Sequence, residues 1–176
     1  DGDGNFSFSL LGKNLGWTET HLTGDHDSEI SSEFSYTTAV NFNGDDIIID
    51  GIRFMGTSAN QTTGEGWIIT QGFSNFTLGN TWMSNNPTYQ STVGGSVGEM
   101  LDQGFVVDGA SSKLKTTNLI VGNHYIFSVY SQAFSPGART VELTSSATNK
   151  TIIVDQDKYQ TSAQDGLLVS CSYIAN

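Results

Sequence analysis

A chain of 176 residues, 36% of them hydrophobic, is long enough to bury one core without covalent staples. Seven basic side chains face 18 acidic ones, for a formal charge of -11. That potential argues against nucleic acid and anionic membrane, which are held by clustered Lys and Arg. It also argues against strongly sulfated or uronic polymers, unless the few cations gather in one groove.

The 20 glycines, the many Ser, Thr and Asn residues, and the lack of sustained helical periodicity predict an all-β domain rich in turns. No repeat, linker or composition shift divides the chain, so residues 1–176 read as one domain. The single Cys171 leaves no internal disulfide, and its place in the alternating run LLVSCSYIA predicts a buried, inert thiol. No apolar run of 18 residues occurs. Asp1 as first residue reads as the start of a mature chain or an excised piece. The low basic content fits a secreted bacterial module.

The first 35 residues are polar and punctuated, with Phe6, Phe8 and Leu10 alternating as a first strand. Asn43-Gly44 and Asp50-Gly51 are tight-turn signals around Ile47-Ile48-Ile49, which predicts two hairpin-like units. Residues 56–66 read as a surface loop and Trp67-Ile68-Ile69-Thr70 as a short strand. Residues 80–95 form a longer irregular stretch carrying Trp82 and Tyr89. The run SVGEMLDQGF predicts one short helix near 96–104, with Ser96 and Glu99 at the spacing of a capping box and Gly104 as terminator. Tyr125 to Phe134 carries apolar residues on both faces and predicts a central strand covered on both sides. Pro136-Gly137 breaks it, and Arg139 to Leu143 resumes the alternation as the partner strand. About ten short strands with one helix predict a β-sandwich of two antiparallel sheets.

The stretches TTAVNFNGDDIIIDGIRFMGTS, SVGEMLDQGF, LIVGNHYIFSVYSQAFSPGART and IIVDQDKYQTSAQDGLLVSCSYIA, in this order, resemble a β-jelly-roll module of large extracellular bacterial proteins. Such modules stand beside lectin-like or glycan-degrading domains in marine and soil bacteria. The resemblance spans about residues 36–176. It implies a jelly roll and a carbohydrate-binding-module-like or adhesive role within a larger secreted protein, without implying catalysis. It transfers no binding residues, so the sites below rest on residue chemistry.

A sugar presents apolar C–H faces and a rim of hydroxyls, so its site needs flat aromatics flanked by fixed polar groups. Trp82 and Tyr89, in a loop full of Asn and Ser, match that best. Trp67 beside Glu65, and Trp17 beside Glu19 and His21, come next; each ring either faces solvent or folds back over the sandwich. Arg139 offers a planar donor fork to a sugar oxygen or an acid, or pairs structurally with Asp155 or Glu142. Asp155, Asp157 and Tyr159 follow a strand and either line the same groove or hold a turn.

Asp25, Asp27 and Glu29 place three carboxylates within five residues, a candidate structural calcium site or a solvated loop. His21, Asp25 and His26 lack zinc spacing. No strand carries the alternating acids of a retaining glycosidase. His124 and Tyr125 as base, with Arg139, would make a small polysaccharide lyase, but the companion motifs are missing. No nucleophile elbow or phosphate loop is present. The reading is a secreted, non-catalytic jelly roll that binds polysaccharide. The competing class is a structural or adhesive domain without a glycan ligand.

Overall fold

A computed structural model describes residues 16–58, 61–70, 76–77, 91–103, 106–107, 113–132, 140–156, 158–159 and 166–176. In chain order the strands are β1 (Gly16–Leu22), β2 (Val40–Asn41), β3 (Ile47–Ile49), β4 (Ile52–Gly56), β5 (Thr63–Gly64), β6 (Trp67–Thr70) and β7 (Phe76–Thr77). Helix α1 (Gly95–Asp102) follows, then β8 (Val106–Val107), β9 (Lys113–Thr116), β10 (His124–Gln132), β11 (Thr140–Ser145), β12 (Lys150–Asp155) and β13 (Gly166–Ile174). A 3-10 turn at Asp25–Asp27 leaves β1.

The protein is mostly β, as its turn-rich composition predicts, with one short helix. Among the described residues the pairings fall into five groups: β1-β13-β10, β11-β12, β2-β4-β3, β5-β6-β9 and β7-β8. All are antiparallel except β2 with β4. The tight turn at Asp50-Gly51, with φ of 46° and 78°, joins β3 to β4 as a hairpin. The other expected hairpin is not formed: Val40 and Asn41 run parallel to Met55 and Gly56 instead. Asn43, at φ 55°, redirects the chain so that β2 reaches the far edge of β4.

The central strand is β13, not β10. Residues 166 to 173 are buried throughout, between β1 on one side and β10 on the other. β10 flanks it, with Ile126 and His124 exposed. The segment after Pro136-Gly137 also departs from expectation, since β11 pairs with β12 rather than with β10. That hairpin alternates cleanly: Val141, Leu143, Ile152 and Val154 turn inward, while Thr140, Glu142, Thr151 and Ile153 face out. Its inner face packs on Trp17, Leu167 and Val169. The opposite face of the central sheet, at the Leu22 end, lies within a second core built from Ile30, Ile49, Phe54, Val93, Val97, Met100 and Leu101. The central sheet is therefore covered on one face by a hairpin and on the other by α1 and the β3-β4 hairpin. Burial of these aliphatic side chains, about 1.5–3 kcal/mol for each large one, is the main force holding the layers.

The helix runs where the sequence predicts it, but Ser96 does not cap it. Gly94 occupies the cap position with no side-chain bond of its own. The Asp25 carboxylate takes the role from outside, accepting from Ser96 N at 3.1 Å and Val97 N at 2.8 Å. Cys171 is buried and reduced, as expected.

Candidate functional site: a hydroxyl-lined groove on the central sheet

One face of the β1-β13-β10 sheet changes character along its length. Leu22, Leu168 and Tyr130 make the end under α1, where Tyr130 donates to the buried Ser28 carbonyl at 2.8 Å. Two residues further along the strands the face turns polar. Thr18, Ser170 and Ser128 stand directly opposite one another across the three strands. The Ser128 and Ser170 hydroxyls are 3.0 Å apart, and Thr18 Oγ1 donates to the Ser170 carbonyl at 3.4 Å. The next row is Gly16, Ser172 and Ile126, with the His124 ring bonded to Ser172 Oγ at 2.5 Å. Gly16 leaves that row open on the β1 side, at φ 147°.

This polar half of the sheet is the floor of an open groove of about 650 Å³. Its far wall is the start of β12, where Lys150, Thr151 and Ile152 line the opening. Trp17 forms the rim between the two, half-buried, its indole N–H donating to the Lys150 carbonyl at 3.0 Å. At the other side stands Glu29, whose Oε2 lies 3.5 Å from Ser170 Oγ. Glu29 has a left-handed backbone, φ 57°, between the fully buried Ser28 and the core residue Ile30. With both neighbours anchored, the turn throws the carboxylate outward onto the groove. The groove thus combines a row of hydroxyls, an apolar Ile126 that is 40% exposed, an indole edge, a carboxylate and an ammonium.

The structure distributes the sequence-predicted residues differently. Trp67 is only 2% exposed and meets Phe42 edge-on at 5.0 Å, so its ring is core rather than platform. The alternating apolar residues that follow it draw it into β6, against β9 and β5. Tyr159 is half-buried and stacks on His21, centroids 4.4 Å apart and planes within 14°. Lys158 lies 5.3 Å over the same ring and pairs with Glu19 at 2.5 Å. The Glu19 hydrogen bond and charge push the Lys158 ammonium pKa up. Asp155 is exposed at the end of β12, its carbonyl accepting from Lys158 N at 3.1 Å. Asp155 and Tyr159 therefore gather around the Glu19–His21 face of β1, away from the groove. Trp82, Tyr89, Arg139 and Asp157 lie outside the described residues.

The three clustered acids also separate. Asp25 caps α1. Asp27 accepts from the Thr23 hydroxyl and from Thr23 N at 3.2 Å, and pairs with His26 at 3.2 Å. The Thr23 hydroxyl bond, ahead of the other influences, holds its carboxyl below the usual range. Glu29 faces the groove. Among the described residues no group of three His, Cys, Asp or Glu side chains converges on a metal position. The floor residues Thr18, Ser170 and Ser172 do not figure in the sequence-derived site. Their signal is present, since Ser replaces aliphatics at alternate positions in LVSCSY, which marks a polar half-face on a buried strand.

Comparison with protein-family models, with curated proteins and with solved structures finds no match to this chain.

Proposed function

We propose that this chain is a non-catalytic carbohydrate-binding module of jelly-roll type, a secreted part of a larger multidomain protein, and that the groove is where a polysaccharide lies. The observation that carries the reading is the set of hydroxyls of Thr18, Ser170 and Ser172 beside exposed Ile126 and the Trp17 rim. Hydroxyls aligned by a rigid sheet trade hydrogen bonds with sugar hydroxyls, and the apolar neighbours accept C–H faces. An open groove suits a chain better than a small enclosed molecule. Each contact replaces water that already bonded well, so a single site binds at micromolar strength or weaker, and several copies in a parent protein supply avidity. The proposal does not depend on the structural calcium expected at Asp25, Asp27 and Glu29: Asp25 faces α1, Asp27 faces Thr23 and Glu29 faces the groove.

A glycan array, followed by titration of the best ligand, tests the proposal. Thr18→Arg, which fills the groove from the edge strand, removes the binding while leaving the melting curve cooperative. Binding that survives Thr18→Arg moves the site elsewhere. No binding to any glycan supports the structural or adhesive class instead.

A further inference from the structure

The electrostatics of the groove narrow the class of sugar. Among the described residues its two charged side chains sit at opposite ends. Glu29 stands beside the Thr18–Ser170 row, whereas the Lys150 ammonium lies over Gly16, 3.4 Å from where a Cβ would stand. Gly16 and Thr18 are two residues apart on one strand, which sets the ends about 7 Å apart along it.

Glu29 is the informative one. Among the described residues its polar contact on the floor, to Ser170 Oγ, is long at 3.5 Å, so the carboxylate keeps acceptor capacity for a ligand. Its left-handed φ of 57° is a conformation that residues with a Cβ rarely adopt. Backbone strain of that kind clusters at ligand-binding sites. The net charge of -11 adds a field that attracts cations to the surface.

We infer that the groove selects glycans carrying a free amino sugar, with the ammonium on Glu29 and a neutral sugar unit at the Lys150 end. The inference rests on the reading of the groove as a glycan site. A charge-assisted bond from an ammonium to this carboxylate is stronger than the neutral bonds a hydroxyl makes there. A uronic or sulfated unit meets repulsion from Glu29 instead.

The experiment compares an N-acetylglucosamine tetramer with the same tetramer bearing one free amine, by calorimetric or NMR titration in 150 mM salt. The expected result is at least tenfold tighter binding of the amine-bearing tetramer. Glu29→Gln, which keeps shape and backbone, erases that difference. Glu142→Gln, on the outward face of β11, retains it and controls for overall charge. A preference that persists in Glu29→Gln overturns the inference, as does equal binding of the two tetramers in the wild type. Equal binding leaves the glycan groove standing, whereas binding of neither tetramer nor any other glycan overturns both.

Discussion

The Asp25 carboxylate closes the N-terminus of α1 from 72 residues away, its Oδ1 accepting the Val97 amide at 2.8 Å. Its second oxygen accepts the Ser96 amide, so two orphan donors of the helix are satisfied by one side chain from the turn after β1. The bond ties the β1 end of the central sheet to the helix that covers it. Asp25→Ala is expected to destabilise the protein by about 1–2 kcal/mol, with Asp25→Asn losing roughly half as much. Urea denaturation measures both. A loss below a few tenths of a kcal/mol for the alanine variant would show that the helix end is satisfied without it.

Gly98 reverses the usual helix rule. Replacing an exposed helical Gly by Ala normally stabilises by about 1 kcal/mol. Here a Cβ would stand 2.0 Å from the Val93 carbonyl oxygen, a backbone atom with little room to give. Gly98→Ala is therefore expected to lower the melting temperature by several degrees, the effect of about 1–3 kcal/mol of overpacking. A melting temperature at or above wild type rules out this close approach of chain and helix.

Tyr130 makes the protein sensitive to alkali. Burial, then the neighbouring Tyr36 and Glu29, push its phenol pKa well above the ordinary 10.0. Tyr173 is raised too, again chiefly by burial. A group that holds its proton more tightly when folded contributes stability below its unfolded pKa and loses it as pH rises through the folded one. Stability is thus expected to be flat up to about pH 10 and to fall above it. In Tyr130→Phe the alkaline slope becomes shallower, with Tyr173 supplying the remainder. The same variant loses about 1–3 kcal/mol at neutral pH, because the buried Ser28 carbonyl is left without its donor. Denaturant midpoints between pH 8 and 11 check both effects, and parallel slopes in the two proteins contradict the assignment.

Asp102 behaves in the opposite sense to Asp27. Partial burial raises its carboxyl pKa, although its Oδ1 accepts from Ser91 N at 2.5 Å. A carboxyl raised on folding costs stability as pH climbs from its unfolded pKa through the folded one. Asp102→Asn keeps an acceptor for Ser91 and removes the charge. It is expected to be at least as stable as wild type at pH 7 and relatively less advantaged at pH 3. A variant that is less stable at pH 7 would show that the charge itself is needed there.

Calcium gives a prediction without mutation. With Asp25, Asp27 and Glu29 engaged by α1, Thr23 and the groove floor, melting in excess calcium and in chelator is expected to give the same midpoint. A rise in calcium would mean that the three carboxylates are drawn together by the ion.

Much of the local structure is legible in the residues themselves. Asp50-Gly51 forms its turn because both residues adopt φ > 0 cheaply, and the hairpin from Val141 to Val154 follows its alternation. The helix lies in the run SVGEMLDQGF that the sequence marks for it, though its cap is not Ser96, and Cys171 is buried where an alternating run puts it. All of these depend on neighbours within a few residues. What the residues leave open is which strand lies beside which. Apolar residues on both faces of β10 do not distinguish a central strand from one flanking it, and only β13, buried on both faces, resolves the order. Trp67 leans toward core in the sequence, because Ile68 and Ile69 follow it into a strand, and β9 and β5 on either side of it decide the matter. Glu29 sits with Asp25 and Asp27 in the sequence, yet a left-handed turn between two buried anchors sends it to hydroxyls 141 residues away. Short-range preferences thus settle turns, alternation and the helix. The groove is a product of strand order and layer packing, long-range choices that one segment cannot encode alone.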